Sequence, residues 1–494
     1  MHLTLKHHKT GARSIAILIM LAAIFLSLTV GQTAEPLVLG IEESIAIAME
    51  KNLGYRRSVN SEKAAGFNYI SSRAQFRPRM SFDITTPDRT EATTEQFDFQ
   101  SKLYQWIRSG SSRYQGQLNL EQRLPTDGRL TLTSFVNHRN QYNTFLNETS
   151  RSNEYKSYFY LEYWQPLFQT SYDKFSRDQS KLNWSKAREG LRKAETELMY
   201  NVTQAFLTLF QSEEAFRISV EQENLSQRAY EIAVTKREAG VGDELDVLFT
   251  QSELARNRVD TINKRSDRRG KAYSFKKLLD LDLDPPVELV VPSQSDIPVI
   301  NLKEALEKAH ENNTDLRQAE LDLDLGRLDL SYQKKQGGVE ANLYLYYNLD
   351  GTDPVLRESY QDPNRNTRFF FGFRLPLYDW DQKKARVSSS QIRLENSEIA
   401  YQQAIDQIEE DIRTSVAALE DNVQLVEQAG IGLEYSRRLY EQALVRYKIG
   451  QIAAYELLQA QVNLATARKI ELDSRISQRL ALSRLEQLTQ TRWR

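Results

Sequence analysis

The chain has 494 residues, too many for one ordinary core, so two domains or a repeated architecture are expected. Charged residues make up 27% and the net charge is −2, a balance that argues against a nucleic-acid partner. The absence of cysteine excludes disulfides, thiol catalysis, cysteine zinc sites and an acylated N-terminal cysteine. Of the five histidines, His2, His7 and His8 lie near the start, and His138 and His310 are isolated. Neither a histidine metal site nor a cofactor is expected.

The first 34 residues read as an export signal. Lys6, Lys9 and Arg13 are a positive leader, and "SIAILIMLAAIFLSLTV" (14–30) is an apolar core followed by small and polar residues. Cleavage after Ala34 fits, with Gln32 a poor residue for that site; an uncleaved anchor is the alternative. No later segment approaches 18 consecutive apolar residues. If the mature chain enters a bilayer, it does so as strands of a closed barrel.

A short helix is expected over 41–51 and a longer one to about Gln75. The same pattern returns at 302–311 and to about Lys335, at an offset of 261: Ile41 matches Leu302, Asn52 matches Asn313, and Arg56 matches Arg317. Strands follow. "YFYLEYWQPLF" (158–168) and "RFFFGFRLPLY" (368–378) are aromatic and β-prone. In the second, Phe369, Phe371, Phe373, Leu375 and Leu377 fall on one face, with Arg368, Gly372 and Arg374 on the other. That alternation suits a barrel wall with lipid outside and water inside; a strand pair half-buried in a soluble domain is the alternative. "NLYLYYNL" (342–349) is the preceding strand, with a first-half counterpart near 80–84.

Between them the first half carries extra residues. "YQGQLNLEQRL" and "RLTLTSFVN" flank the turn "PTDG" (125–128) and read as a hairpin, placed either in the barrel or outside it. Very long helices come next, over 171–239, interrupted at Gly190, and over 378–449, with internal Gly430 and Gly432. About 70 helical residues span roughly 100 Å. Ile405, Ile408, Ile412, Val416, Leu419, Val423 and Val426 form a seam spaced by three and four. Polar residues surround it, so such rods pack side by side rather than in a globule.

Each rod ends at a glycine, Gly240 or Gly450, suited to the left-handed turn that ends a helix. Return helices are expected from Asp243 to about Leu281 and from Ala453 to about Gln490. Here the offset is 210: Gly240 pairs with Gly450, Leu248 with Leu458, Gln251 with Gln461 and Arg258 with Arg468. The chain therefore reads as a tandem duplication whose first copy carries 51 extra residues, the difference between the two offsets, between about Phe82 and Pro166.

"REAGVGDELDVLFTQSELAR" (237–256), "YKIGQIAAYELLQAQVNLATAR" (447–468), "QPLF" (165–168) and "LPLY" (375–378) resemble the marks of the TolC family of outer membrane efflux proteins, and the resemblance covers essentially the whole mature chain. It implies a mainly α fold: long helical hairpins forming a trimeric α-barrel, continued by a transmembrane antiparallel β-barrel. The units would be a signal peptide (1–34), a first repeat (35–295, β region about 78–168) and a second repeat (296–494, β region about 341–378). It implies an outer membrane homotrimer in contact with lipid, tunnelling through the periplasm to an adaptor and an inner membrane transporter, for efflux or type I secretion. The family's four strands per chain, twelve per barrel, assign no place to the extra hairpin.

The resemblance also carries over site residues. Tyr447 matches the family's periplasmic gate tyrosine, Asp246 its aspartate partner, and Glu456 one acid of the entrance lining. The family's gate arginine position is Ile452 here, its threonine partner is Leu245, and the second acid is Gln459; Asp243 and Glu244 partly restore the negative field. Adaptor docking would fall on the tips, Gly240, Val241 and Gly242 with Gly450, Gln451 and Ile452; capping and turn chemistry is the plainer reading of these residues. The competing functions are a soluble periplasmic coiled-coil scaffold and an envelope enzyme. Against the enzyme, carboxylates such as those of "DLDLD" (280–284) stand without any nucleophile–base set or phosphate loop.

Overall fold

The computed structural model describes residues 37–99, 102–145, 148–168, 171–284, 286–290 and 298–493. The expected export signal lies outside them. In chain order the elements are β1 (Leu37–Leu39), α1 (Ile41–Lys51), α2 (Leu53–Ala74), β2 (Arg79–Asp98), β3 (Leu103–Arg123), β4 (Arg129–Phe145), β5 (Glu148–Leu167), α3 (Tyr172–Glu238) and α4 (Glu244–Leu279). Then come β6 (Val287–Leu289), α5 (Leu302–Asn312), α6 (Thr314–Lys335), β7 (Glu340–Asp353), β8 (Asn364–Arg374), α7 (Gln382–Lys448) and α8 (Ala454–Thr489).

The two long rods, α3 and α7, are 67 residues each, and the return helices α4 and α8 are 36 each. At 1.5 Å per residue the rods are about 100 Å long. Gly190, Gly430 and Gly432 interrupt neither, because packing along the whole length outweighs about 1 kcal/mol per glycine. Each short helix passes to the next through one asparagine. The Asn52 side chain accepts from the Tyr55 N–H (2.9 Å) and donates to the Leu278 carbonyl (2.9 Å). Asn313 accepts from the Asp315 N–H (2.8 Å) and donates to the Leu488 carbonyl (3.0 Å). One side chain thus caps a helix and pins it to the end of a return helix.

Two apolar clusters hold the middle of the molecule. One joins α1, α3 and α4 around Val202, Phe206 and Phe275, whose two rings meet edge to face at 6.0 Å. The other joins α5, α7 and α8 around Ile412, Val416 and Leu485. The α7 seam is buried at Ile408, Ile412, Val416 and Leu419, but Val423 is exposed. The seam therefore outlasts the cover that this one chain provides. Toward the strands, α3 lies between α2 and α6: Tyr69 stacks on Trp184 at 5.5 Å, and Lys186 bonds Asp322 at 2.5 Å. Toward the tips it lies between α4 and α8.

β2, β3, β4, β5, β7 and β8 form one antiparallel sheet in that order, and β1 pairs with β6 in parallel. The "PTDG" hairpin is β3 and β4, and it lies inside the sheet between β2 and β5. β8 stops at Arg374, short of the expected Tyr378. Pro376 removes a backbone donor from the next stretch, and Trp380 and Asp381 turn the chain with φ of 54° and 61° before α7 begins. Leu375 and Leu377 therefore lie beyond the strand. On β8, Phe369, Phe371 and Phe373 are all exposed on one face, where they continue a row with Leu345, Leu343 and Ala341 of β7. No helix among the described residues is long and apolar enough to cross a membrane.

Candidate functional site

The two hairpin tips repeat one backbone design. At the first, Gly240 has φ 76°; its N–H reaches the Arg237 carbonyl (3.0 Å) and the Val241 N–H reaches the Lys236 carbonyl (3.0 Å). At the second, Gly450 has φ 78°; its N–H reaches the Tyr447 carbonyl (3.1 Å) and the Gln451 N–H reaches the Arg446 carbonyl (2.9 Å). These are paired bonds of a helix end closed by a left-handed residue. A Cβ at either glycine would meet nothing within 4 Å, so the backbone angle, not space, requires glycine there. Gly242 differs: a Cβ would lie 2.7 Å from the Arg237 backbone nitrogen. The return helices start on Asp243, whose side chain accepts from the Leu245 N–H (3.2 Å), and on Ala453, whose N–H donates to Glu456 (3.4 Å).

Between the tips lies Tyr447, the largest fully buried side chain of the described residues. It packs with Ala229, Ala443, Ala454, Leu457 and Leu458, and with partly buried Ile452. Its hydroxyl has no hydrogen-bond partner among the described residues. Burial pushes the phenol up to about 12, and the nearby Asp246 carboxylate adds to the shift. The ring is therefore a neutral donor throughout the physiological range. Lys236 crosses from α3: its ammonium lies 3.9 Å from the centre of the Tyr447 ring and donates to the Tyr447 carbonyl. One cation thus ties the end of α3 to the end of α7 through a face contact and a charge-assisted bond.

Of the expected gate residues, the structure brings Tyr447 and Asp246 into electrostatic range without a hydrogen bond between them. Glu456 is exposed and closes the first turn of its own helix. Leu245 is exposed, whereas Ile452 joins the apolar cluster. Val241 and Gln451 are exposed at the two turns. Sequence reading missed Lys236, whose only local signal was its place in the last turn of a helix. It also missed a buried polar node farther up. Ser226 is fully buried and accepts from Asn257 of α4 (2.6 Å) and from Gln461 of α8 (3.2 Å), while Gln461 also donates to the Gln222 carbonyl (3.1 Å). Arg468 pairs with Glu221 beside it. These bonds fasten α3 to both return helices.

Among the described residues, no three His, Asp or Glu side chains are grouped to hold an ion. The sequence pattern of the family described as outer membrane efflux protein matches residues 129–279 and 305–490. No curated protein matches the sequence significantly. Solved structures do match in fold. A structure of CusC superposes with a TM-score of 0.67 at 13% identity, covering 93% of this chain and 95% of its own. The Campylobacter jejuni CmeC outer membrane channel gives 0.66 at 14% identity, covering 91% and 85%. The open state of the Neisseria gonorrhoeae MtrE outer membrane channel gives 0.63 at 15%, covering 91% and 88%.

Proposed function

The chain belongs to the outer membrane efflux protein family, and from that membership we propose that three copies close into one conduit, a β-barrel in the outer membrane continued by a helical tunnel in the periplasm. The family is one of outer membrane channels, not of enzymes. The observation that carries the assembly is that a single chain forms a layer open at both edges. At the strand end, among the described residues, β2 and β8 have a partner on one side only. Toward the tips, α4 and α7 flank the layer, with Val259 and Ile262 of the first and Ile431 and Leu439 of the second exposed. Copies meeting edge to edge cover both sets at once. A soluble scaffold has no use for the exposed aromatic face of β8.

The repeated element order, the equal helix lengths and the paired asparagine and glycine devices support an internal duplication, with halves 35–295 and 296–494 behind a leader of 1–34. The tips, at Gly240, Val241, Gly242, Gly450, Gln451 and Ile452, are where a periplasmic adaptor would dock, linking the conduit to an inner membrane transporter. The periplasmic gate would be Tyr447 with Asp246, and Glu456 would add negative charge at the entrance. A deletion strain should become sensitive to exported toxic compounds or lose a secreted protein, and the intact chain should restore it. In planar bilayers the wild-type protein should conduct little, and Tyr447→Phe combined with Asp246→Ala should raise the open current and leakiness severalfold. An unchanged current would remove the gate assignment.

A further inference from the structure

We infer that the inserted hairpin β3–β4 is membrane wall, so that three copies close an eighteen-stranded barrel; the trimer itself rests on the function proposed above. Residues directly opposite in an antiparallel sheet share a face. Met80, Phe82 and Ile84 of β2 oppose Leu120, Leu118 and Gly116 of β3. On the insert, Leu120 opposes Leu132, and Leu132 opposes Leu161 of β5. The apolar face of the older strands thus continues through the insert along the row of Leu120, Leu132 and Leu161, with Ser134 and Gly116 the small residues in the neighbouring rows. The other face is polar there apart from Phe135: Asn119 donates to Asp83 (3.0 Å), and Gln117 donates to Asn119 (2.8 Å). Apolar outside and polar inside, at period two, is the pattern of a barrel wall. A plug or an external lid has no need to keep both faces in register with its neighbours.

The register gives a second, independent test of geometry. Phe82, the middle of the β2 apolar triplet, lies in the row through Leu118, Ser134 and Phe159. Phe371, the middle of the β8 triplet, lies in the row through Leu343 and Gln165. From β2 to β8 the greasy band therefore slides from 159 to 165 along β5. At about 3.3 Å per residue that is about 20 Å, across five strand spacings of about 4.8 Å, which sets a tilt of about 40° to the bilayer normal. Closed barrels need about this tilt. The slide is shared by the insert, whose Leu118, Leu120, Leu130 and Leu132 fall in the rows of Phe159, Leu161 and Tyr163.

Hydrocarbon admits no unpaired strand edge, so β2 and β8 must both pair. Six strands closing on themselves would make a barrel narrower than the eight-stranded ones that side chains already fill. The even count makes β8 of one copy antiparallel to β2 of the next. Keeping the band level places Phe82 opposite Phe371 or Phe373 of the neighbour. Eighteen strands at this tilt give a backbone radius of about 18 Å, against about 12 Å for twelve.

The test uses the full chain, which contains no cysteine, in native outer membranes or reconstituted vesicles. Single variants Leu118→Cys, Leu132→Cys, Gln117→Cys and Thr131→Cys report the insert by reaction with a water-soluble maleimide. Positions 117 and 131 should label on the order of tenfold faster than 118 and 132. Equal fast labelling at all four would put the insert outside the membrane and overturn the inference. Double variants Phe82→Cys with Phe371→Cys, and Phe82→Cys with Phe373→Cys, report closure by oxidation and non-reducing electrophoresis. One pair should give a ladder ending at three copies. A ladder ending at two would mean twelve strands and overturn the count. No ladder, with alternating labelling retained, would strike the trimer while leaving the insert in the wall.

Discussion

At the scale of single residues, the tip depends on a contact that spans the chain. Lys236 loses both its carbonyl bond and its place over the ring in Lys236→Met, while the helix it sits on is little affected. A charge-assisted bond and a cation–π contact together hold about 2–4 kcal/mol at most. The expected result is a leakier channel in bilayers, with Lys236→Arg intermediate. Tyr447→Phe alone should leave the melting temperature unchanged or slightly raised, because it removes a buried hydroxyl that has no partner. The raised Tyr447 pKa also has a sign. The fold favours the neutral phenol, so its contribution is complete below about 10 and is lost as pH climbs toward about 12. In thermal melts, wild type should lose stability across that window more steeply than Tyr447→Phe. The two tip glycines were legible in the sequence because turn chemistry is local, whereas Tyr447 stood out only through the family resemblance. Lys236 was not, since the carbonyl it holds is 211 positions away.

Elements were legible where a pattern repeats over many residues. The short helices and their asparagine caps, the rods, the tips and the aromatic strands each carry a periodicity or a cap of their own. The distal parts of β2 and β5 do not. "DRTEATTEQ" (88–96) has no alternation of apolar and polar residues, and it is a strand because β3 supplies partners from Arg113 down to Gln105. Pairing set those bounds, which no single-strand pattern could show. The insert's location was open for the same reason: alternation shows that a strand has two faces, not which neighbour it takes. At the tips the two kinds of glycine should separate. Gly240→Ala and Gly450→Ala each force an L-residue into a left-handed position at a cost of about 1–2 kcal/mol. Gly242→Ala drives a methyl into backbone and should cost more, unless the turn opens. Limited proteolysis should cut the first tip fastest in Gly242→Ala.

Over the whole molecule, what one chain leaves exposed matters as much as what it buries. Val423 continues the α7 seam past its cover, β8 carries bare phenylalanines, and both flanks of the helical layer are open. In the proposed trimer the fold is thus a stave rather than a vessel. The matched lengths of 67 and 67, and of 36 and 36, then acquire a meaning. Staves of unequal reach would leave a ragged rim, and a docking ring would meet only half its contacts. Removing seven residues from one rod and its return helix should uncouple export although the pore still inserts, and the same cut made in both hairpins should restore coupling if the partner can follow a tunnel about 10 Å shorter. In the proposed assembly a change in the length of one hairpin would therefore need a matching change in the other, each acting as a ruler for its twin.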